Sequence, residues 1–316
     1  MPNWNQVFKA IQNTIKDREP GGSDEYRHGW LKKLHEHTKR NVIAYYSAWL
    51  SKPTAQMLAI SDEDMNGFMS AVNGLNKSLG LDLILHTPGG SIASTESIVN
   101  YLQLMFQKDI RVIVPQVAMS ARTMIACCSK EIILGKQSSL GPIDPQIRDL
   151  PAQGVLNEFQ TALTELKKDP DAIHAWRWIL SQYHPTFLGQ CRQAIDWTNT
   201  FVTKQLKEVM FLGDPDADAK AAKVVDALSD ADVHKSHGRH IPIAKCQEIG
   251  LKVKALEDDR DLQELVLTVH HCFMFATMNS PAIKVVENHL GSTFAKQQLQ
   301  IQMPFQMPMQ QPPHGY

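Results

Sequence analysis

LDLILHTPGG, residues 81–90, reads as a buried strand running into a bend made for glycine. Leu81, Leu83, Ile84 and Leu85 give an apolar run, and Pro88 with two glycines ends it. Consecutive glycines let the backbone turn tightly and come close to a bound molecule. Their N–H groups can face a developing oxyanion, a contribution worth roughly 3–4 kcal/mol per donor.

Reading outward, SIASTESIVNYLQLMF (91–106) is a helix and IRVIVPQ (110–116) a short strand. VAMSARTMIACC (117–128) then sets Ser120 where a strand gives way to a helix, and EIILG (131–135) is the next strand. Upstream, RNVIAYYSAWL (40–50) is the first core strand. It is followed by a helix that Ser61 or Asp62 caps, with Met65, Phe68, Met69 and Val72 on its core face. Strands alternating with helices predict an α/β fold with a mainly parallel sheet. Ligands of such sheets sit beyond the carboxyl ends of the strands, where both the diglycine bend and Ser120 fall. One helix and one strand separate the two turns, so both are expected on the same side of the sheet. Ala121, Thr123 and Ala126 are small enough for the helix after Ser120 to pack closely.

Beyond SSLGPIDPQ (138–146) the texture becomes helical, clearest in WRWILSQY (176–183) and IDWTNTFVTKQLKEVMF (195–211). A further helix follows in 213–230, then an irregular piece and a helix ended by Gly250, and 258–290 reads as helical again. The division expected is a helical N-terminal extension at 1–39, broken at EPGGSDE (19–25), a core domain at 40–255, a C-terminal helical segment at 256–295 and a tail at 296–316. The tail is rich in Gln, Pro and Met and nearly uncharged, which predicts disorder, with a strip that docks in a partner's groove as the alternative.

Composition bounds the function. The chain has 316 residues, 43% hydrophobic and 21% charged, with a net charge of -1. No global field recruits nucleic acid. No apolar run is long enough for a transmembrane anchor, and the N-terminus reads as a short amphipathic helix rather than a signal peptide. The five cysteines form no CxxC pair, which favours a reducing cytoplasm over a disulfide framework. HKSHGRH (234–240) holds three histidines but no adjoining carboxylate or cysteine, so a polar loop near the substrate channel is expected and no metal. No cofactor-binding signature is present, and no phosphate-cradling GxxxxGK[ST] loop occurs.

LILHTPGGSIAS, AMSARTMIA and SLGPIDPQ, in this order and spacing, resemble the serine dehydrogenase proteinase family. That family has the Clp-protease/crotonase fold and is related to signal peptide peptidase A. The resemblance spans about residues 40–150 and resumes at HGRHI and CQEIGLKV. It implies a Clp/crotonase-like core of repeated ββα units with helical C-terminal additions. It also implies a soluble serine endopeptidase that cuts unfolded proteins or peptides through a Ser120 acyl-enzyme, in a homo-oligomer. The oxyanion donors implied are Gly89, Gly90 and Ala121. His86, Gly141, Pro142 and Asp144 are expected along the cleft. Arg122 departs from the family's glycine at that position. Its guanidinium is expected at the mouth, where it narrows the cleft, binds a carboxylate or points to solvent.

The base is less plain. A Clp-type histidine at the usual spacing is excluded, because no histidine lies between His86 and His174. A lysine base needs burial to lower its pKa. Lys130, Lys136, Lys167, Lys168, Lys204 and Lys207 are the candidates, with Lys168 preferred, and His174 and His184 can fold back. Gln193, where relatives are expected to carry lysine, counts against a Ser–Lys dyad. Two other functions share the fold: a crotonase-like acyl-coenzyme A enzyme, and a scaffold that has lost catalysis.

Overall fold

The computed structural model describes residues 3–17, 22–230 and 234–298. Its core is a seven-stranded sheet in the order β10-β5-β3-β2-β1-β11-β12. The strands are β1 (Asn41–Ser47), β2 (Leu81–His86), β3 (Ile110–Val114), β5 (Glu131–Leu134), β10 (Val253–Ala255), β11 (Ala282–Asn288) and β12 (Thr293–Gln297). The first five run parallel, while β11 and β12 are antiparallel additions beyond β1. Every residue of β1 and β2 is buried. Such a strand has helices on both faces, which is why these segments read as apolar runs rather than alternating ones.

Side chains one residue apart go to opposite faces. Ile43, Tyr45, Leu83, Leu85, Val112 and Val114 pack on one side with Phe68, Ile98, Leu102 and Met124. Val42, Ala44, Tyr46, Ile84 and Ile113 pack on the other, against Leu31, Leu34, Val266 and Phe273. The first layer is carried by helices Asp64–Val72, Ile92–Phe106, Ala121–Cys127 and Ala217–Ser229, the second by helices Gly22–Thr38 and Arg260–Asn279. The N-terminal helix Trp4–Asp17 lays Val7 and Ile11 on Cys272 and Phe275, so its apolar stripe is taken up inside the protein. A separate helical arm, Ala152–Lys168, Ile173–Leu180 and Phe187–Gln205, has a small core of Ala152, Val155, Phe187 and Cys191.

Three expectations shift. The helix after β1 starts at Asp64 rather than beside Ser61, because Asp64 itself accepts the Ser61 N–H at 2.9 Å. Met69 is exposed rather than core, whereas Phe68 and Val72 are buried. The run 282–297 forms two strands, not a helix. Ser280 and Pro281 break the preceding helix, and β11 pairs with β1 in register, Tyr45 opposite Val286. The tail from 299 onward and the first three residues of EPGGSDE lie outside the described residues, while Gly22, Ser23, Asp24 and Glu25 already belong to a helix.

Lys284 of β11 is buried and bonds both oxygens of the equally buried Asp64, at 2.8 and 2.7 Å, and the Ala59 carbonyl at 2.6 Å. Tyr45 donates its hydroxyl to the same carboxylate at 2.7 Å. Burial lowers the Lys284 ammonium below its usual value despite this carboxylate.

Two buried histidines make the fold sensitive to acid. His270, bonded to the Tyr46 hydroxyl, is lowered to about 3 by burial and by neighbouring His271. His289, stacked 3.9 Å from His35, is lowered to about 4 by burial, then by His35. Both are neutral in the folded protein, while the unfolded chain takes up a proton at each below about pH 6.5. The stability these groups hold is complete above that value and is lost as pH falls toward their folded pKa values. The urea midpoint is expected to fall between pH 6.5 and 5, by about 3 kcal/mol in stability from these two groups together. A flat midpoint over that range would contradict it.

Candidate active site

β2 delivers the chain to Thr87–Pro88–Gly89–Gly90 at the carboxyl edge of the sheet. Gly89 and Gly90 take φ of +93° and +154°, conformations that side chains resist. Gly89 offers its carbonyl to Ile60 N–H at 2.6 Å, and Ser91 N–H returns to the Ile60 carbonyl at 3.0 Å. A Cβ on Gly90 would stand 2.3 Å from the Ile60 nitrogen, so only glycine fits there. Ser91 then caps helix Ile92–Phe106 through the Ser94 N–H.

The second turn leaves β4 (Val117–Ala118) and enters helix Ala121–Cys127 at Ser120. Ser120 has φ +55° and ψ −125°, a strained conformation for a residue with a side chain. Its side chain makes no cap bond, so the hydroxyl is not spent on the helix. Three contacts hold the turn: Ser120 N–H to the Pro142 carbonyl at 3.1 Å, the Thr123 hydroxyl to the Ala118 carbonyl at 2.7 Å, and Gly141 N–H to Thr123 Oγ1 at 3.1 Å. The two loop tips meet. A Cβ on Gly89 would lie 3.2 Å from Ser120 Cβ and 3.4 Å from the Ala121 nitrogen. Gly89 N–H is turned back to Thr87 Oγ1 at 3.3 Å. The Gly90 and Ala121 amides serve no backbone carbonyl among the described residues.

A small sheet brings in a third segment. β4 pairs with β6 (Ser139–Leu140), and β6 pairs with β9 (Ile241–Pro242). HKSHGRH leads into β9 and so lies beside the strands of the serine turn. His240 Nδ1 meets Ser139 Oγ at 2.6 Å, and His237 Nδ1 meets Asp144 Oδ1 at 2.8 Å. Asp144 is buried and its other oxygen accepts Gln146 Nε2 at 2.7 Å. It follows Pro142, the residue that anchors Ser120, by two positions. With Nδ1–H given to the carboxylate, His237 keeps Nε2 as a free acceptor, the tautomer a general base needs. The sequence reading placed this loop near a channel but did not pair His237 with Asp144. The one local signal was a histidine cluster directly before a short strand.

Other expected site residues lie elsewhere. His86 is fully buried beneath the bend, among Tyr46, Trp49 and His270 at ring distances of 5.3, 5.7 and 5.2 Å, so it does not line a cleft. Burial, with His270 and Arg122 nearby, holds it well below the usual imidazole range. Arg122 is not at the mouth: all seven residues of its helix are buried, and its side chain runs inward with no exposure. Lys168 is exposed in the last turn of the helical arm and lacks the burial a lysine base requires; Lys204, His174 and His184 are exposed too. Gly141, Pro142 and Asp144 do flank the serine turn, and a cleft of about 400 Å³ opens against Asp144 and Pro145, edged by Asn199 and Asp226. No group of three or more His, Cys, Asp or Glu is arranged to hold a metal among the described residues.

A serine on a strained strand-to-helix turn, with an aspartate-held histidine following it in the order Ser…Asp…His, is a layout that serine hydrolases use. The whole-chain comparison agrees with that class: the chain belongs to the ClpP-like SDH-type serine proteinase family, whose model matches residues 24–284. Two uncharacterized proteins of Methanocaldococcus jannaschii are similar to it. One is 29% identical over 210 residues, 66% of this chain and 64% of the relative. The other is 29% identical over 194 residues, 61% and 59%. The chain thus spans less than two thirds of the length of these curated relatives. No solved structure matches it.

Proposed function

We propose that the protein is a serine endopeptidase with Ser120 as nucleophile, His237 as general base and Asp144 as the group that orients it. The observation that carries this reading is the 2.8 Å bond between His237 Nδ1 and Asp144, tied to the serine turn through the Ser120–Pro142 contact. His237 Nε2 takes the hydroxyl proton as Ser120 Oγ attacks the peptide carbonyl. The tetrahedral oxyanion is met by the amides of Gly90 and Ala121. Collapse releases the amine, protonated by His237, and leaves an acyl-serine. Water, deprotonated by the same imidazole, then frees the acid.

Gly89 acts here as the residue whose lack of a Cβ lets the two turns touch, rather than as a donor. Unfolded proteins or peptides are the substrates in this reading, and a homo-oligomer with a Clp/crotonase-like ββα repeat is its setting, which the succession β3, β4 and helix Ala121–Cys127 supports. All five cysteines are unpaired and buried, which supports a reducing cytoplasm. No helix of the described residues is long and apolar enough to cross a membrane.

A fluorophosphonate is expected to label the protein once, on the peptide containing Ser120, and Ser120→Ala is expected to stay unlabelled. Folded wild-type protein that resists the reagent, or reacts at another serine, would overturn the assignment.

A further inference from the structure

Beneath the serine turn lies a group of buried hydrogen-bond donors that the peptidase reading does not use. Arg122 is fully buried and donates Nη1 to the Val117 carbonyl at 2.7 Å, across the turn that carries Ser120. Its Nε and Nη2 have no hydrogen-bond partner and no exposure to solvent. The guanidinium carbon stands 5.0 Å from the centre of the Trp49 ring. Trp49 in turn lies 5.7 Å from His86 between ring centres. Trp49 Nε1 and both ring nitrogens of His86 are also closed to solvent and unpartnered. Two residues from the nucleophile, three neighbouring side chains thus have polar atoms that are buried and unmet.

Charge makes the arrangement more demanding. No carboxylate forms an ion pair with Arg122 among the described residues. Asp64, which the Tyr45 hydroxyl joins from the same layer, is already bound by Lys284. Arg122 therefore carries a buried positive charge with no ion-pair partner among the described residues, faced by the Trp49 ring and the Val117 carbonyl. Donor chemistry then selects the ligand. Arginine and tryptophan side chains donate and never accept, and a neutral imidazole gives one N–H beside a single acceptor nitrogen, so donors outnumber acceptors. A water held there would find donors on most sides and few acceptors for its own hydrogens. An anion uses every donor and cancels the charge.

We propose that Arg122, Trp49 and His86 form a binding site for one small monovalent anion of chloride size, seated under the turn that presents Ser120. Occupancy ties the first turn of helix Ala121–Cys127 to β2 and to the segment after β1. The site does not depend on the peptidase reading, and its test uses no activity measurement.

The experiment is thermal unfolding of the full chain, freed of halide, in sodium chloride or sodium gluconate at equal ionic strength. Chloride, and bromide likewise, is expected to raise the midpoint saturably, by about 4 °C at a hundredfold excess over the dissociation constant. Gluconate, far larger than chloride, is expected to leave it unchanged. Arg122→Met is expected to abolish the response. Trp49→Phe, which keeps the ring and removes one donor, is expected to raise the half-saturating chloride concentration about tenfold and keeps the test open if the first variant does not fold. Bromide-soaked crystals are expected to show an anomalous peak between the three side chains. A response to chloride equal to that of gluconate, an unchanged response in both variants, or a water in place of bromide would overturn the proposal.

Discussion

Replacing His237 with alanine is expected to lower kcat/KM on an unstructured peptide by about 10⁴-fold or more, while Lys168→Ala leaves it unchanged. The asymmetry follows from placement. His237 has a buried carboxylate on Nδ1 and sits in the loop entering β9, beside the strands of the serine turn. Lys168 ends an exposed helix of the separate arm. Asp144→Asn is expected to cost a similar factor, because an amide there can hold the wrong tautomer and no longer stabilises the imidazolium. His237 is only partly buried, so the alanine variant keeps its fold and its melting temperature; circular dichroism and a melting curve check that alongside steady-state kinetics. Full activity in His237→Ala with loss in Lys168→Ala would reverse the assignment and restore a Ser–Lys mechanism.

Lys284→Met is expected to destabilise the protein by about 3 kcal/mol, measured as a lower urea midpoint at unchanged slope. Removing one member of a buried pair leaves the other charge without compensation, which costs about 3–5 kcal/mol in general. The low end applies here, because Asp64 keeps the Tyr45 hydroxyl and the Ser61 N–H as donors. Adding Asp64→Asn to Lys284→Met removes the stranded charge and is expected to recover part of the loss. A loss under about 1 kcal/mol for the single variant would show that water reaches the carboxylate.

The parts of this molecule that announced themselves in the sequence are those whose physics is local. β2 and β3 are legible because strands covered on both faces are mostly apolar, the paired Asp82 and Arg111 and the terminal His86 apart, and Gly89 and Gly90 because their conformations reject side chains. The meeting of the diglycine bend with Ser120 followed from one strand–helix–strand step, and a gap of 3.2 Å between Ser120 Cβ and the Cβ position of Gly89 agrees with it. The pairing of His237 with Asp144 is different in kind. It spans 93 positions and depends on β4, β6 and β9 forming a three-stranded sheet. Each of those strands is two residues long, too short for any pattern to register. β11 was hidden for a related reason: its pairing with β1 outweighs the helical texture that precedes it. Arg122 misled because a charged residue in a motif is normally expected to face water. Its helix is seven residues long and enclosed on every side, so inward was the only direction left.

The position of β11 in the chain sets an order of events during synthesis. β1 lies between β2 and β11, so β1 remains an unpaired edge until residue 288 has left the ribosome. Before then Asp64 has no Lys284 to neutralise it, and the layer that supports the Ser120 turn has an unpaired flank. A nascent chain therefore carries the serine long before it carries a finished scaffold. The layer beneath the serine thus waits on a strand encoded far downstream of it.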